Sequence, residues 1–165
     1  MQHVIGTMGK KYLGEFEIGE TFATKSYTIA PAESLAFARA YDPQPFHLDA
    51  AEAAASIFGE LTCSGWHTAA ITMRLIVESN VMRESGIIGS GIDELRWLAP
   101  VKPGDALHVR GEVIERVAWP RRSDRGTLRV RLLTINQSGV TVMSQIANLV
   151  LPVGPDEPPV SPDVA

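Results

Sequence analysis

Two periodicities divide this chain near its middle. Up to about Arg83 the apolar residues recur mainly at helical spacing, and from Gly91 onward they alternate. In the first half, Thr21 to Ile29 is the exception and predicts a strand, with Phe22, Tyr27 and Ile29 set among polar residues. Pro31 suits a first helical turn, and Leu35, Ala36, Phe37 and Ala40 carry a helix from Glu33 to Tyr41. Asp49 is positioned to cap a second helix, Ala50 to Ile57, which Gly59 ends. The longest predicted helix runs from about Gly65 to Arg83. There Trp66, Ala69, Ala70, Met73, Ile76, Val77 and Val81 form a stripe that Ile71 and Leu75 widen. So broad a stripe predicts burial around most of the circumference, with Arg74, Glu78 and Ser79 as a wet edge.

The second half reads as strands. Leu95, Trp97 and Ala99 alternate; Leu107, Val109, Val113 and Val117 alternate against His108, Arg110, Glu112 and Arg116. Leu128, Val130 and Leu132 alternate against Arg129 and Arg131, and Val140 to Leu151 supplies a last, largely apolar strand. Turns are predicted at Lys102-Pro103-Gly104-Asp105, at Ser123 to Gly126, and at Asn136-Gln137-Ser138-Gly139. One strand, then helices, then a run of antiparallel strands is an α+β pattern: a curved antiparallel sheet wrapped around one central helix.

Between the first two helices lies the most constrained stretch, Tyr41-Asp42-Pro43-Gln44-Pro45-Phe46-His47. Each proline fixes its own φ and pushes the residue before it out of the helical region. Asp42 and Gln44 therefore leave the helix, and His47 is expected on a stiff, extended loop. A carboxylate and an imidazole held in this way can position and activate one water. The plainer alternative is a helix exit, with Asp42 as a turn residue and His47 as a surface histidine.

This stretch resembles the signature of the MaoC-like dehydratases, the (R)-specific enoyl-CoA hydratase group of the hotdog superfamily. That signature reads Gly-Asp-x-Asn-Pro-x-His before a small-residue helix, here Leu48-Asp49-Ala50-Ala51. Asp42, Pro45 and His47 fall on its positions, while Tyr41 replaces the Gly and Gln44 the Asn. Pro100-Val101-Lys102-Pro103-Gly104-Asp105 is similar to the family's Pro-Val-x-x-Gly-Asp turn. Arg122 to Gly126, with Asn136-Gln137, is similar to its Arg/Ser-rich hairpin and Asn-Gln turn. The resemblance spans residues 12–151 and implies a single hotdog domain that reversibly adds water to a trans-2-enoyl-CoA, giving the (R)-3-hydroxyacyl-CoA by syn addition. It implies sites at the junction of neighbouring chains, in a homodimer formed by joining two sheets edge to edge or in a higher homo-oligomer. No redox or metal cofactor is implied, and coenzyme A enters as part of the acyl-CoA substrate.

Two divisions of labour fit the loop: His47 activates the water and Asp42 delivers the α-proton, or both share one water. The third requirement, a place for the enolate-like oxygen, points to Cys63-Ser64-Gly65-Trp66-His67 at the start of the long helix. A helix's first turn leaves backbone N–H groups without partners, and its dipole favours negative charge there. Ser64 can cap one of them, and Gly65 lets a carbonyl approach closely. The resemblance assigns the oxyanion donor to Gly65; a glycine that merely eases a tight turn is the alternative. Ser64, Trp66, Gln44 and Phe46 are the flanking substrate-contact candidates. His67 and Cys63 are expected to pack, and Trp66 and Met73 to sit in the core, with the acyl pocket as a second place for Trp66. His47, Asp49 and His67 have no recognised metal-ligand spacing.

Composition narrows the classes. At 165 residues with 45% hydrophobic positions, one core is expected. A net charge of −4 argues against a nucleic-acid partner. The N-terminal residues lack a signal-peptide core, no apolar run spans a bilayer, and the single Cys63 fits a reducing compartment, so a cytoplasmic protein is expected. The tail from Pro152 to Ala165, with five prolines, is expected to be disordered. Two other functions remain open. A hotdog acyl-CoA thioesterase shares the fold, although thioesterases of the superfamily lack the Asp-x4-His spacing. A non-catalytic acyl-binding hotdog domain is the other, kept open by Gln44.

Overall fold

The computed structural model describes residues 12–81, 88–119 and 122–154. Among these residues six strands and four α-helices follow one another as β1 (Thr21–Ala23), β2 (Tyr27–Thr28), α1 (Pro31–Tyr41), α2 (Pro45–Leu48), α3 (Ala50–Ala55), α4 (Gly65–Glu78), β3 (Ile88–Trp97), β4 (Ala106–Trp119), β5 (Arg122–Asn136) and β6 (Thr141–Pro152). All strand pairs are antiparallel, in the order β1-β4-β5-β6-β3, with β2 also on β4. The sheet closes over α4 through Val109, Val113, Val130, Leu132 and Ala147 on one side and Ile71, Leu75 and Ile76 on the other. This is the expected α+β hotdog: one curved sheet around a central helix.

The turns follow the glycines and the side chains beside them. Gly104 and Gly139 take φ of 98° and 78° at the two predicted turns. Asp105 accepts the Lys102 amide across the first, and Asn136 accepts from Ser138 and Val140 in the second.

Several expectations change. The single strand Thr21 to Ile29 is two short ones, both on β4. His47 does not lie on extended chain: Pro45 opens the short helix α2 from an extended Gln44, and His47 sits within it. The turn expected at Ser123 to Gly126 lies inside β5, because the ladder continues until Trp119 faces Arg122. Val117, expected in the core, is exposed: a bulge between Val113 and Glu115 turns it to the outer face. α4 buries a narrower stripe than predicted, namely His67, Thr68, Ile71, Thr72, Leu75 and Ile76. Half of these are polar: Thr72 Oγ1 bonds the Thr68 carbonyl and Thr134 Oγ1, and Thr68 Oγ1 donates to the Ser64 carbonyl. Trp66 and Val77, which the apolar pattern placed inside, are consequently exposed. The expected disordered tail lies, beyond Gly154, outside the described residues.

Candidate active site

Asp42 ends α1. Its φ of −150° takes the chain out of the helix before Pro43, and the extended Gln44 leads into α2. The two proline-enforced departures bring Asp42 Oδ2 to 3.4 Å from His47 Nε2. His47 is buried, and Asp42 is largely covered.

Each group is held from behind. His47 Nδ1 lies 2.8 Å from the Thr62 carbonyl oxygen. A carbonyl only accepts, so Nδ1 carries the proton, and in the neutral ring the lone pair rests on Nε2, toward Asp42. Ser64 Oγ donates to Asp42 Oδ2 at 2.6 Å, and Gln44 Nε2 donates to Oδ1 at 2.9 Å. Burial pushes the Asp42 carboxyl pKa up, but the hydrogen bonds from Ser64 and Gln44 and the nearby His47 outweigh it, leaving Asp42 below its ordinary value. Asp42 is therefore a carboxylate at neutral pH. A carboxylate oxygen and an imidazole lone pair on one point form a seat for a donor of two protons, which a water is.

Ser64 has a second task. As N-cap of α4 it accepts the Trp66 amide at 3.2 Å, so one hydroxyl ties the helix start to the acid. Gly65 is the first residue of α4, where the amide has no partner within the helix. A cavity of about 470 Å³ opens over this corner. Asp42, His47 and Gly65 line it, as do Gln44, Phe46 and Trp66. Ser64 stands behind Asp42 rather than at the wall. Trp66 is thus a pocket residue, not a core one.

The remaining wall comes from Phe58, Thr62, Cys63, Thr68 and the run from Trp97 to Val101. Phe46 stacks edge-on against His47 at 4.6 Å and packs against Phe58 at 5.2 Å. Of these residues Trp97 had no sequence signal pointing to the site. Cys63 is no nucleophile: it is buried with Ser34 Oγ at 3.2 Å, and burial pushes its thiol up to about 11. His67 faces away from the cavity, stacked on Phe37 at 4.6 Å with Nε2 3.6 Å from Glu33.

Comparison with known proteins identifies the family and the fold. The family described as the MaoC like domain matches residues 15–134. The structure is similar to that of a MaoC-like dehydratase from Rhodospirillum rubrum, at 42% identity and a TM-score of 0.83 over 88% of this chain and 99% of that one. It is also similar to the R-hydratase PhaJ1 from Pseudomonas aeruginosa, at 31% identity and a TM-score of 0.66 over 91% and 95%. Protein YdeM of Bacillus subtilis is 35% identical over 130 residues, 79% of this chain and 91% of its own length.

Proposed function

This chain belongs to the MaoC-like domain family, and on that premise we propose that it reversibly hydrates a trans-2-enoyl-CoA thioester to the (R)-3-hydroxyacyl-CoA. The observation that carries the reading is the convergence of Asp42 Oδ2 and His47 Nε2 at 3.4 Å beside the open end of α4. The similarity to a dehydratase and an R-hydratase supports it.

The ionised Asp42 has no proton to deliver, which favours a water shared by both groups over the separate roles. Asp42 orients that water, and Nε2 of His47 takes its proton as the oxygen bonds to the β-carbon. Negative charge moves onto the thioester oxygen, where the Gly65 amide and the helix dipole receive it. The imidazolium then returns the proton to the α-carbon from the same face. The sum is one water added, with both catalytic groups regenerated.

The active form in this reading is at least a homodimer. β3 pairs with β6 along one edge and is the last strand of the sheet, so its other edge is unpaired among the described residues. Ile88, Ile92 and Trp97 are exposed on it, with Leu98 just past its end, and Trp97 meets Trp66 of α4 at 5.1 Å.

One experiment tests the reading. Purified protein is weighed by light scattering, then offered enoyl-CoAs of short, branched and dicarboxylic chains while loss of the double bond and release of free thiol are followed together. Hydration without thiol release is expected. Thiol release with an intact double bond would assign a thioesterase, and neither reaction would leave an acyl-binding domain.

A further inference from the structure

Trp97 stands on the inner face of the sheet only because β3 is bulged. Between the Asp93–Ile146 and Arg96–Ser144 pairs the register slips by one residue, so β3 holds one residue more than β6 opposite. Side chains alternate along a strand, and one inserted residue reverses every face beyond it. Without the insertion Arg96 would point inward and Trp97 outward. With it, Trp97 pairs with Met143 of the core. The bulge contains Glu94 at a φ of 52°, a left-handed conformation uncommon for a residue with a side chain. Backbone of this kind persists where the surroundings hold it, often beside a site.

The inward indole meets the start of α4. Trp97 Nε1 donates to the Gly65 carbonyl at 2.9 Å. A Cβ on Gly65 would lie 2.6 Å from that nitrogen and 2.7 Å from Cε2, so the ring occupies the space that any other residue at position 65 would need. The ring also meets Trp66 edge-on at 5.1 Å, and both indoles line the cavity. First turns of helices fray readily, yet an oxyanion donor has to hold its aim within a few tenths of an ångström.

We propose that Trp97 is a positioning residue for the helix-start donor. By clamping the Gly65 carbonyl and filling the space over its Cα, it fixes the direction of the Gly65 amide and closes the wall beside it to water. The inference rests on the hydratase reading, and it gives the bulge in β3 its purpose: to deliver one side chain from the sheet edge to the active corner. It also gives the alternative reading of Gly65 a different content. The glycine is required less by its backbone conformation than by the ring laid against it.

The test is a set of variants in the full chain, each with turnover, KM and melting temperature taken on one preparation. Trp97→Phe keeps an aromatic ring and removes the donor. Its kcat should fall about tenfold or more, as for a displaced reacting group, while KM stays within about twofold. Gly65→Ala should lower kcat in the wild-type background and have little further effect in Trp97→Ala, where the space is free. Should Trp97→Ala not fold, Trp97→Phe alone decides. An active wild type with full kcat in Trp97→Phe overturns the inference and leaves the hydratase reading standing. So does a kcat loss no larger than the unfolded fraction accounts for, or independent effects of the Gly65 and Trp97 changes. A wild type that hydrates no enoyl thioester overturns both.

Discussion

His47 and His67 are both buried and both stand beside a carboxylate, 3.4 Å from Asp42 and 3.6 Å from Glu33. At His47 both ring nitrogens have assigned work: Nδ1 is fixed by the Thr62 carbonyl, and Nε2 opens toward the cavity. At His67 the ring lies flat on Phe37, Nδ1 is buried with no hydrogen-bond partner among the described residues, and burial holds the pKa below its ordinary value although Glu33 opposes this. The carboxylates differ as well. Asp42 is held by Ser64 and Gln44 at the cavity wall, whereas Glu33 takes the Tyr27 hydroxyl at 2.7 Å, under an Arg74 that lies 4.4 Å over the Tyr27 ring. A histidine beside an acid is common to both regions. What separates them is an outlet: one pair converges on space that a substrate can enter, and the other on packed side chains.

The largest effect that would break this comparison is at the first pair. Asp42→Asn and His47→Ala should each lower kcat by about a hundredfold or more, as loss of a positioned acid or base does. The double variant should fall well short of the product, because the two groups hold one water between them. Folded variants with near-wild-type turnover would show that this pair is not the catalytic one.

A smaller effect is expected one step behind the pair. Ser64→Ala removes the donor to Asp42 and the cap of α4 together. Loss of the cap should cost about 1 kcal/mol of stability, read in denaturant. Loss of the hydrogen bond lets the Asp42 pKa rise, so the acid limb of kcat/KM should move to higher pH, while turnover at its optimum falls less than in Asp42→Asn. An unmoved acid limb would mean that Ser64 serves the helix alone.

The same contrast separates what was legible in the sequence from what was not. Asp42 and His47 could be read directly, since two prolines fix the backbone and leave few ways for the chain to run. Ser64 and Gly65 were legible as a helix start, because capping chemistry is local. Val117 was not: strand reading assumes a period of two, and it lies just beyond a one-residue bulge that reverses the faces. Trp97 was legible as an apolar strand position beside Leu95 and Ala99, but its place against Gly65 joins distant parts of the chain, which alternation does not report. The buried stripe of α4 was misplaced for a related reason: His67, Thr68 and Thr72 are buried polar residues, and an apolar pattern passes over them. The placement of His47 beside Asp42 was legible while its local structure was not, since a proline that ends one helix also opens the next.

The smallest effect on activity is expected at His67, and there the comparison sharpens in stability instead. His67→Phe keeps the ring stacked on Phe37, removes a buried nitrogen with no partner among the described residues, and leaves Glu33 its bond from Tyr27. Turnover should therefore stay within about twofold of wild type, since nothing at the cavity changes. The pH dependence of folding should change more. His67 has a lower pKa in the folded chain than the 6.5 of the free side chain, because burial opposes its charge more than Glu33 favours it. Above the unfolded value the ring is neutral in both states, and its contribution to stability is fully present. As pH falls below about 6.5 the unfolded chain takes up the proton first, so stability declines until the lower folded value has been passed. In His67→Phe that part of the decline should disappear, and the denaturation midpoint should depend less on pH between about 6.5 and 5 than it does in wild type. Asp42, whose pKa is also depressed in the folded chain, adds a loss only at more acidic pH, below its own unfolded value, so the two do not overlap in that window. An unchanged slope between wild type and His67→Phe would mean that the burial of His67 is not what the folded state has to overcome on acidification. A large loss of kcat in a well-folded variant would mean that the second histidine has an outlet after all.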